Sequence, residues 1–362
     1  MEGKDIVSIN GFDYIELYVG NAHQAAHYYR TAFGFLIVAY AGLETGERDR
    51  VSFILEQGKV RLVLTGPTGP EGQIAEQVWL QGDSVKDIAF VVDDARKTFA
   101  VAVERGATPV MEPVVYEEPE GRMIRAAVEA CGHVVHTFTQ LEGDHSGFPP
   151  QYRSLLRTPA AATTGIESID HIALGVNNGD LDKWVDFYKH TFGFHQSHQE
   201  DIFTEYSGMN SKVVQNRTRS VKFPIVEPAP GRRKSQIEEY LEFNHGPGPQ
   251  HIAFLSDNII KTVDILRKNS VDFLSSPATY YQFLESRLGN IEEDLDALRE
   301  RDILADRDNW GYLLQIFSKP LQSRPTLFIE IIQRVGARGF GGGNIRALFE
   351  AVEREQAMRG NL

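Results

Sequence analysis

Cysteine is nearly missing from this chain: Cys131 stands alone in 362 residues. No intrachain disulfide can form, and no thiolate cluster can hold a metal within one chain. A metal site here has to be built from histidine and carboxylate. Long apolar runs are also missing. No window approaches the roughly 18 apolar residues of a membrane span, and the opening MEGKDIVSING lacks the apolar stretch of a signal peptide. A soluble, cytoplasmic protein is expected. Basic charge is scarce, with 37 Lys and Arg against 50 Asp and Glu and a net charge of -13. Nucleic acid and anionic membrane, which need a basic surface, are poor partners for such a chain. A small-molecule substrate is not disfavoured. What remains is ordinary for a globular protein, at 42% hydrophobic and 24% charged, and the length suits two domains, each able to bury its own core.

The chain contains one segment twice. FDYIELYVGNAHQAAHYYRTAFGF (Phe12 to Phe35) is echoed by IDHIALGVNNGDLDKWVDFYKHTFGF (Ile169 to Phe194), and VKDIAFVVDDARKTFAVAVERGATPV (Val85 to Val110) by PQHIAFLSDNIIKTVDILRKNSVDFL (Pro249 to Leu274). Repeats at this scale signify a duplicated module. Each half reads as two βαβββ-like units, with alternating strands such as VRLVLTG (Val60 to Gly66) and VKFPIVEP (Val221 to Pro228). The class is α+β, with the strands curling round a cavity. Pro, Gly, Ser and Thr without periodicity mark residues 146–165 as a linker, between a first domain at 1–145 and a second at 166–362. The charged segment from Arg287 to Asp308 reads as a solvated helical connector. A terminal helix is expected over 344–358, with Asn344 as its N-cap and Ile345, Leu348, Phe349 and Val352 on one face.

The two halves differ at the positions that matter for chemistry. Tyr14 and Asp87 stand in the first where His171 and His251 stand in the second. A lone histidine in an apolar strand is usually a core residue, but two at equivalent points of paired units would meet across a shared cavity. TLFIEIIQRV (Thr326 to Val335) supplies Glu330, which shares a strand face with Phe328 and Ile332. A carboxylate in that setting either faces water or is compensated by a charge or a metal. Two histidines and one carboxylate leave coordination positions open for substrate and O2, as non-haem Fe(II) requires; zinc is usually tetrahedral. The first half is expected to hold no metal.

Several motifs in order carry a resemblance: IDHIALGV, KSQIEEYLEF (Lys234 to Phe243), GPQHIAF, ILADRD, GYLLQIFSKPLQSRPTLFIEIIQR (Gly311 to Arg334) and the terminal LFEAVEREQAMRGNL. They resemble the 4-hydroxyphenylpyruvate dioxygenase and 4-hydroxymandelate synthase family, faintly in the first half and densely from Ile169 onward. The resemblance implies two vicinal-oxygen-chelate domains forming open barrels, a C-terminal gate helix, Fe(II), O2 as co-substrate, an aromatic 2-oxoacid as substrate and a homo-oligomer. It implies His171, His251 and Glu330 as iron ligands. It also places Ser207, Pro224, Gln236, Gln250 and Gln315 along the substrate pocket, with Ser207, Gln250 and Gln315 taking part in catalysis, and Phe317 and Phe340 clamping the ring. Gln236 could otherwise be an exposed helix residue and Phe317 a core one.

Two departures bear on the product. Homogentisate-forming members read PINEP and GNF, whereas this chain reads Pro224-Ile225-Val226-Glu227-Pro228 and Gly343-Asn344-Ile345. Val226 and Ile345 lean toward benzylic hydroxylation to 4-hydroxymandelate, while Ser207, Pro224 and the KSQI and KPLQSRPT motifs lean toward homogentisate; 4-hydroxymandelate is the product expected, with homogentisate the alternative. Phenylpyruvate or an aliphatic 2-oxoacid is a third option. The competing classes are an extradiol catechol dioxygenase and a metal-dependent binding protein of the same fold.

Overall fold

The computed structural model describes residues 6–145, 147–155, 163–276, 278–281 and 284–360. Strands β1 (Ile9–Tyr18), β2 (Leu36–Ala41), β3 (Arg50–Gln57), β4 (Val60–Pro67), β5 (Ser84–Val92), β6 (Pro109–Glu118), β7 (Gly121–Glu129), β8 (Val135–Gly143) and β9 (Arg153–Ser154) form one sheet, ordered β6-β7-β8-β5-β1-β4-β3-β2-β9. Helices α1 (Ala22–Phe33), α2 (Gln73–Gln81) and α3 (Ala95–Glu104) belong to this half. The second half repeats the plan with β10 (Ile166–Gly175), α4 (Leu181–Phe192), β11 (His195–Phe203), β12 (Gly208–Gln215), β13 (Lys222–Ala229), α5 (Gln236–Phe243), β14 (Gly248–Ser256) and α6 (Ile259–Lys268). Short helices α7 (Ala278–Tyr281), α8 (Leu284–Leu288) and α9 (Leu295–Glu300) follow, then β15 (Leu304–Arg307), β16 (Tyr312–Phe317), β17 (Phe328–Val335) and α10 (Gly342–Arg359). The second sheet runs β11-β12-β13-β10-β14-β17-β16-β15. No described helix is long and apolar enough to cross a membrane.

The repeated Phe-Gly-Phe signature is a helix stop. Gly34 (φ 77°) and Gly193 (φ 79°) take the left-handed conformation just beyond α1 and α4, which glycine adopts without a Cβ penalty. The next phenylalanines, Phe35 and Phe194, are buried. Strand alternation divides the side chains between two interiors. Ile15, Ile88, Ile172, Ile252 and Ile329 enter one large core, which receives the apolar faces of the helices. Their neighbours Tyr14, Asp87, His171, His251 and Glu330 point to the opposite, concave face.

The large core is shared, where a separate core for each half was expected. Phe35 packs on Phe254 with ring centroids 6.0 Å apart, and buried His136 bonds the Tyr188 hydroxyl at 2.9 Å. Apolar helix and sheet faces of the two halves therefore bury one another. The linker is also more ordered than its composition suggests, although residues 146 and 156–162 lie outside the described ones. Arg153 and Ser154 pair with β2, and buried Thr164 donates its N–H to Gln57 Oε1 at 2.9 Å. The Arg287–Asp308 connector is only partly helical, ending in β15 against β16. The terminal helix begins at Gly342, with Gly341 at its N-cap. Asn344 is not the cap. Its amide is drawn inward, donating to Gln315 Oε1 at 2.8 Å and accepting from the Tyr280 hydroxyl, while Asp306 Oδ2 accepts the Gly343 N–H at 2.9 Å.

Candidate metal centre and cavity

Register brings the three expected ligands together. β10 and β14 are antiparallel, with His171 opposite Ala253 and Ala173 opposite His251. β17 lies parallel to β14, with Glu330 opposite Ala253. Each HIA tripeptide thus sets its histidine against the small alanine of the other copy, and His171 and Glu330 reach toward each other over Ala253. The imidazole centroids are 5.5 Å apart. Glu330 Oε2 stands 3.3 Å from His171 Nε2 and 3.4 Å from His251 Nε2. All three candidate ligand atoms lie within 4.8 Å of one another, and all three residues are buried.

Their far sides are committed elsewhere. His171 Nδ1 meets Asp170 Oδ2 at 2.7 Å, and His251 Nδ1 meets Gln250 Oε1 at 3.3 Å. Both partners are acceptors, so each Nδ1 carries the proton and each Nε2 turns a lone pair inward. Gln315 Nε2 donates to Glu330 Oε1 at 2.8 Å, leaving Oε2 for the centre. Asp170 is in turn gripped by Arg334, at 2.8 and 2.9 Å, and by Lys222 at 3.1 Å.

Electrostatics follow from that wiring. Burial alone would push Glu330 up, but the imidazoles, His171 foremost, outweigh it and bring it down to about 2. Burial also raises Asp170, yet Arg334 and Lys222 hold it well below the usual carboxylate range. Burial opposes protonation of His171, but Glu330 and Asp170 raise it on balance; at His251 burial prevails and the pKa falls. The donor set fits a divalent cation: two ligand atoms about 2.1 Å from an ion and at right angles lie about 3.0 Å apart, close to the spacing here.

The centre opens into a cavity of about 590 Å³, mouth included, between the curled sheet and α10. Pro224 and Val226 of β13, Gln250 of β14, Gln315 and Phe317 of β16, Phe340, and Ile345 of α10 all line it. Gln236 lines it too. Ser235 and Glu238 form a capping box at the start of α5, which fixes Gln236 in the first turn, buried and facing inward. Phe340 sits edge-on to His171 at 5.2 Å, and Phe328 stacks on His251 at 4.9 Å. Phe317 is at once cavity wall and part of a small core under α10.

Ser207 is the exception. It lies in the turn before β12, and its hydroxyl donates to Glu353 of α10. The serine that lines the cavity is Ser211, four residues on. Sequence reading also missed Ala173, His198, Glu200, Met209 and Leu348, all in the wall. Counting back by twos from buried Ile202 along β11 would have pointed Glu200 and His198 inward.

The first half fills the corresponding place with hydrogen bonds. Phe90 pairs with Phe138 as Phe254 pairs with Ile331, so Thr137 occupies the position of Glu330. Tyr14 Oη and Thr137 Oγ1 both donate to Asp87 Oδ2, at 2.7 and 2.6 Å, and Arg125 donates to Tyr14. Burial pushes Asp87 up to about 8.

Comparison with known proteins agrees with this architecture. Residues 11–135 and 168–316 match the Glyoxalase/Bleomycin resistance protein/Dioxygenase superfamily. A 4-hydroxyphenylpyruvate dioxygenase from Neurospora crassa is 41% identical, covering 100% of this chain and 95% of its own length. One from Xenopus tropicalis is 42% identical, covering 97% and 92%. Among solved structures, a triply substituted variant of 4-hydroxymandelate synthase from Streptomyces coelicolor superposes with a TM-score of 0.85 at 36% identity, covering 96% of this chain and 99% of that one. With the duplicated fold, the buried His-His-Glu centre and full-length similarity in agreement, the chain belongs to the 4-hydroxyphenylpyruvate dioxygenase and 4-hydroxymandelate synthase family of dioxygenases.

Proposed function

We propose that this protein is an Fe(II)-dependent 4-hydroxyphenylpyruvate dioxygenase that decarboxylates its substrate with O2 and hydroxylates the ring to give homogentisate. The observation that carries the reading is a buried two-histidine, one-carboxylate centre at the closed end of a cavity walled by aromatic rings and carboxamides. The names of the full-length relatives favour homogentisate as the product. Bound Fe(II) would supply the redox chemistry, with open positions for the substrate's 2-oxoacid group and for O2.

The chain's own residues supply placement. Asp170 and Gln250 hold the imidazole tautomers that present Nε2, and Gln315 keeps one Glu330 oxygen occupied so that the other is aimed at the ion. Phe317 and Phe340 confine a planar ring from the metal-binding side, and α10 covers the cavity against water. Because the reactive carbon is selected by position, small displacements of the ring decide the product. A second reading, benzylic hydroxylation to 4-hydroxymandelate, is favoured by the adjoining Val226 and Ile345, which form an apolar patch with Met209 and Ile237. Mass spectrometry of the product from 4-hydroxyphenylpyruvate, Fe(II) and O2 separates the two. Homogentisate is expected; 4-hydroxymandelate as main product would replace the first reading with the second, and no decarboxylation of any arylpyruvate would defeat both.

A further inference from the structure

Glu200 of β11 stands opposite Ser211 of β12, which stands opposite Val226 of β13. The three form one row across three strands, and all three line the cavity. Val226 is the position at which the PINEP motif carries an amide, so the polar group has gone from one end of this row while a carboxylate stands at the other. The Glu200 carboxylate is divided in its surroundings. Oε1 rests against the first turn of α10, where a Cβ on Gly342 would collide with it, and the helix N-terminus favours negative charge there. Oε2 is buried with no hydrogen-bond partner, its near neighbour being His198 Nε2 at 3.7 Å. Gln236 Oε1, in the same cavity, is likewise without a donor.

Two buried acceptor atoms without a hydrogen bond in one cavity call for a ligand that brings a donor. β11 is three strands from β10, and neighbouring strands are about 4.8 Å apart, so Glu200 belongs to the wall away from His171. A 2-oxoacid held at the metal centre directs a para substituent on its ring toward the far wall. We infer that Glu200, with His198 beside it as counter-charge, accepts a hydrogen bond from the ring hydroxyl of the substrate and selects 4-hydroxyphenyl over phenyl 2-oxoacids. The inference rests on the arylpyruvate reading above and assigns one specificity determinant within it. His198 is suited to its part, because Glu200 raises its pKa and favours the cationic form. A hydroxyl so anchored fixes the ring from its far end, a hold that Val226 cannot provide.

The test compares kcat/KM for 4-hydroxyphenylpyruvate and phenylpyruvate in the Fe(II)-loaded wild type, Glu200→Gln and Glu200→Ala, together with anaerobic Kd values for both compounds. The wild type should prefer the hydroxylated substrate by more than about tenfold, since a site built to bond a hydroxyl rejects the analogue lacking it. Glu200→Ala should lower kcat/KM and affinity for 4-hydroxyphenylpyruvate by roughly ten- to a hundredfold while changing phenylpyruvate by less than about threefold. Glu200→Gln keeps the shape and an acceptor, so it should fall between. Equal losses on both substrates, in Glu200→Gln as well as Glu200→Ala, would reduce Glu200 to a partner of the α10 terminus and overturn the inference. So would an unchanged preference. A wild type that turns over neither compound removes the arylpyruvate reading itself, a result separable from the other two.

Discussion

Replacing Asp170 with Asn tests whether the carboxylate behind His171 sets the tautomer on which metal binding depends. The side chain keeps its shape but loses its charge and one acceptor. Three donors now share Asp170: His171 Nδ1, the Arg334 guanidinium and Lys222 Nζ. In Asp170→Asn the new NH2 group must face at least one of them. If it faces His171, the imidazole has to accept at Nδ1 and carry its proton on Nε2, where the metal would bind. Loss of an outer-sphere partner of this kind costs about 10- to 100-fold in metal affinity, equivalent to roughly 1.4 to 2.8 kcal/mol. In either orientation Arg334 and Lys222 lose their counter-charge, and removing one partner of a buried ion pair costs about 3 to 5 kcal/mol of stability. Chelator competition under anaerobic conditions measures the first quantity, and urea unfolding of the metal-free protein the second. The pH dependence adds a signature. Because Asp170 is held well below its ordinary 3.8, its stabilisation is complete above that pH and is lost as pH falls through the depressed folded value. The Asn variant should lack that acid-dependent component. Iron affinity within threefold of wild type, with an unchanged unfolding midpoint, would refute the reasoning.

His251→Ala should abolish iron retention and turnover while the protein stays folded; full activity under saturating iron would remove His251 from the centre. Metal analysis should give one ion per chain, because Tyr14, Asp87 and Thr137 satisfy one another in the first half, and two ions per chain would contradict this. Val226→Asn with Ile345→Phe should raise the homogentisate fraction of any mixed product, the double change exceeding either single one because both act on one ring pose. A wild type making only homogentisate would show that Val226 and Ile345 do not redirect the ring. Ala253→Leu should weaken iron binding by about tenfold or more, as the added bulk rises between His171 and Glu330; unchanged affinity, measured by the same chelator competition, would mean the alanine does not define the space for the ion.

The convergence of His171, His251 and Glu330 was legible because its signals are local and doubled: two HIA tripeptides and one carboxylate in an apolar strand. What needed register was lost. Ser207 and Ser211 lie four apart in SGMNS, so alternation alone gives both the same face; only the turn that ends at Ser207 separates them. Asn344 looked like a cap because asparagine after glycines usually is one, but its pull toward Gln315 is a tertiary effect. Glu200 and His198 were overlooked because HQSHQEDIF reads as a polar strand (exposed at His195 and Gln196), and only the alternation from Ile202 marks its inner side, over which α10 closes. The shared core was hidden for a related reason: alternation shows which residues are buried, not against which half.

That division of labour within each strand explains how the two halves can carry different polar side chains on one scaffold. Along β1 and β5 the residues facing the common core, Ile15 and Ile88, are fully buried and match Ile172 and Ile252 of the second half. The residues beside them, Tyr14 and Asp87, differ from His171 and His251. Each strand acts as a two-sided tape, one side written for the common core and the other for the cavity or hydrogen-bond network of its own half. A substitution on the concave side leaves the core-facing side in place, so the polar groups of one half can change without undoing the packing on which the other half stands.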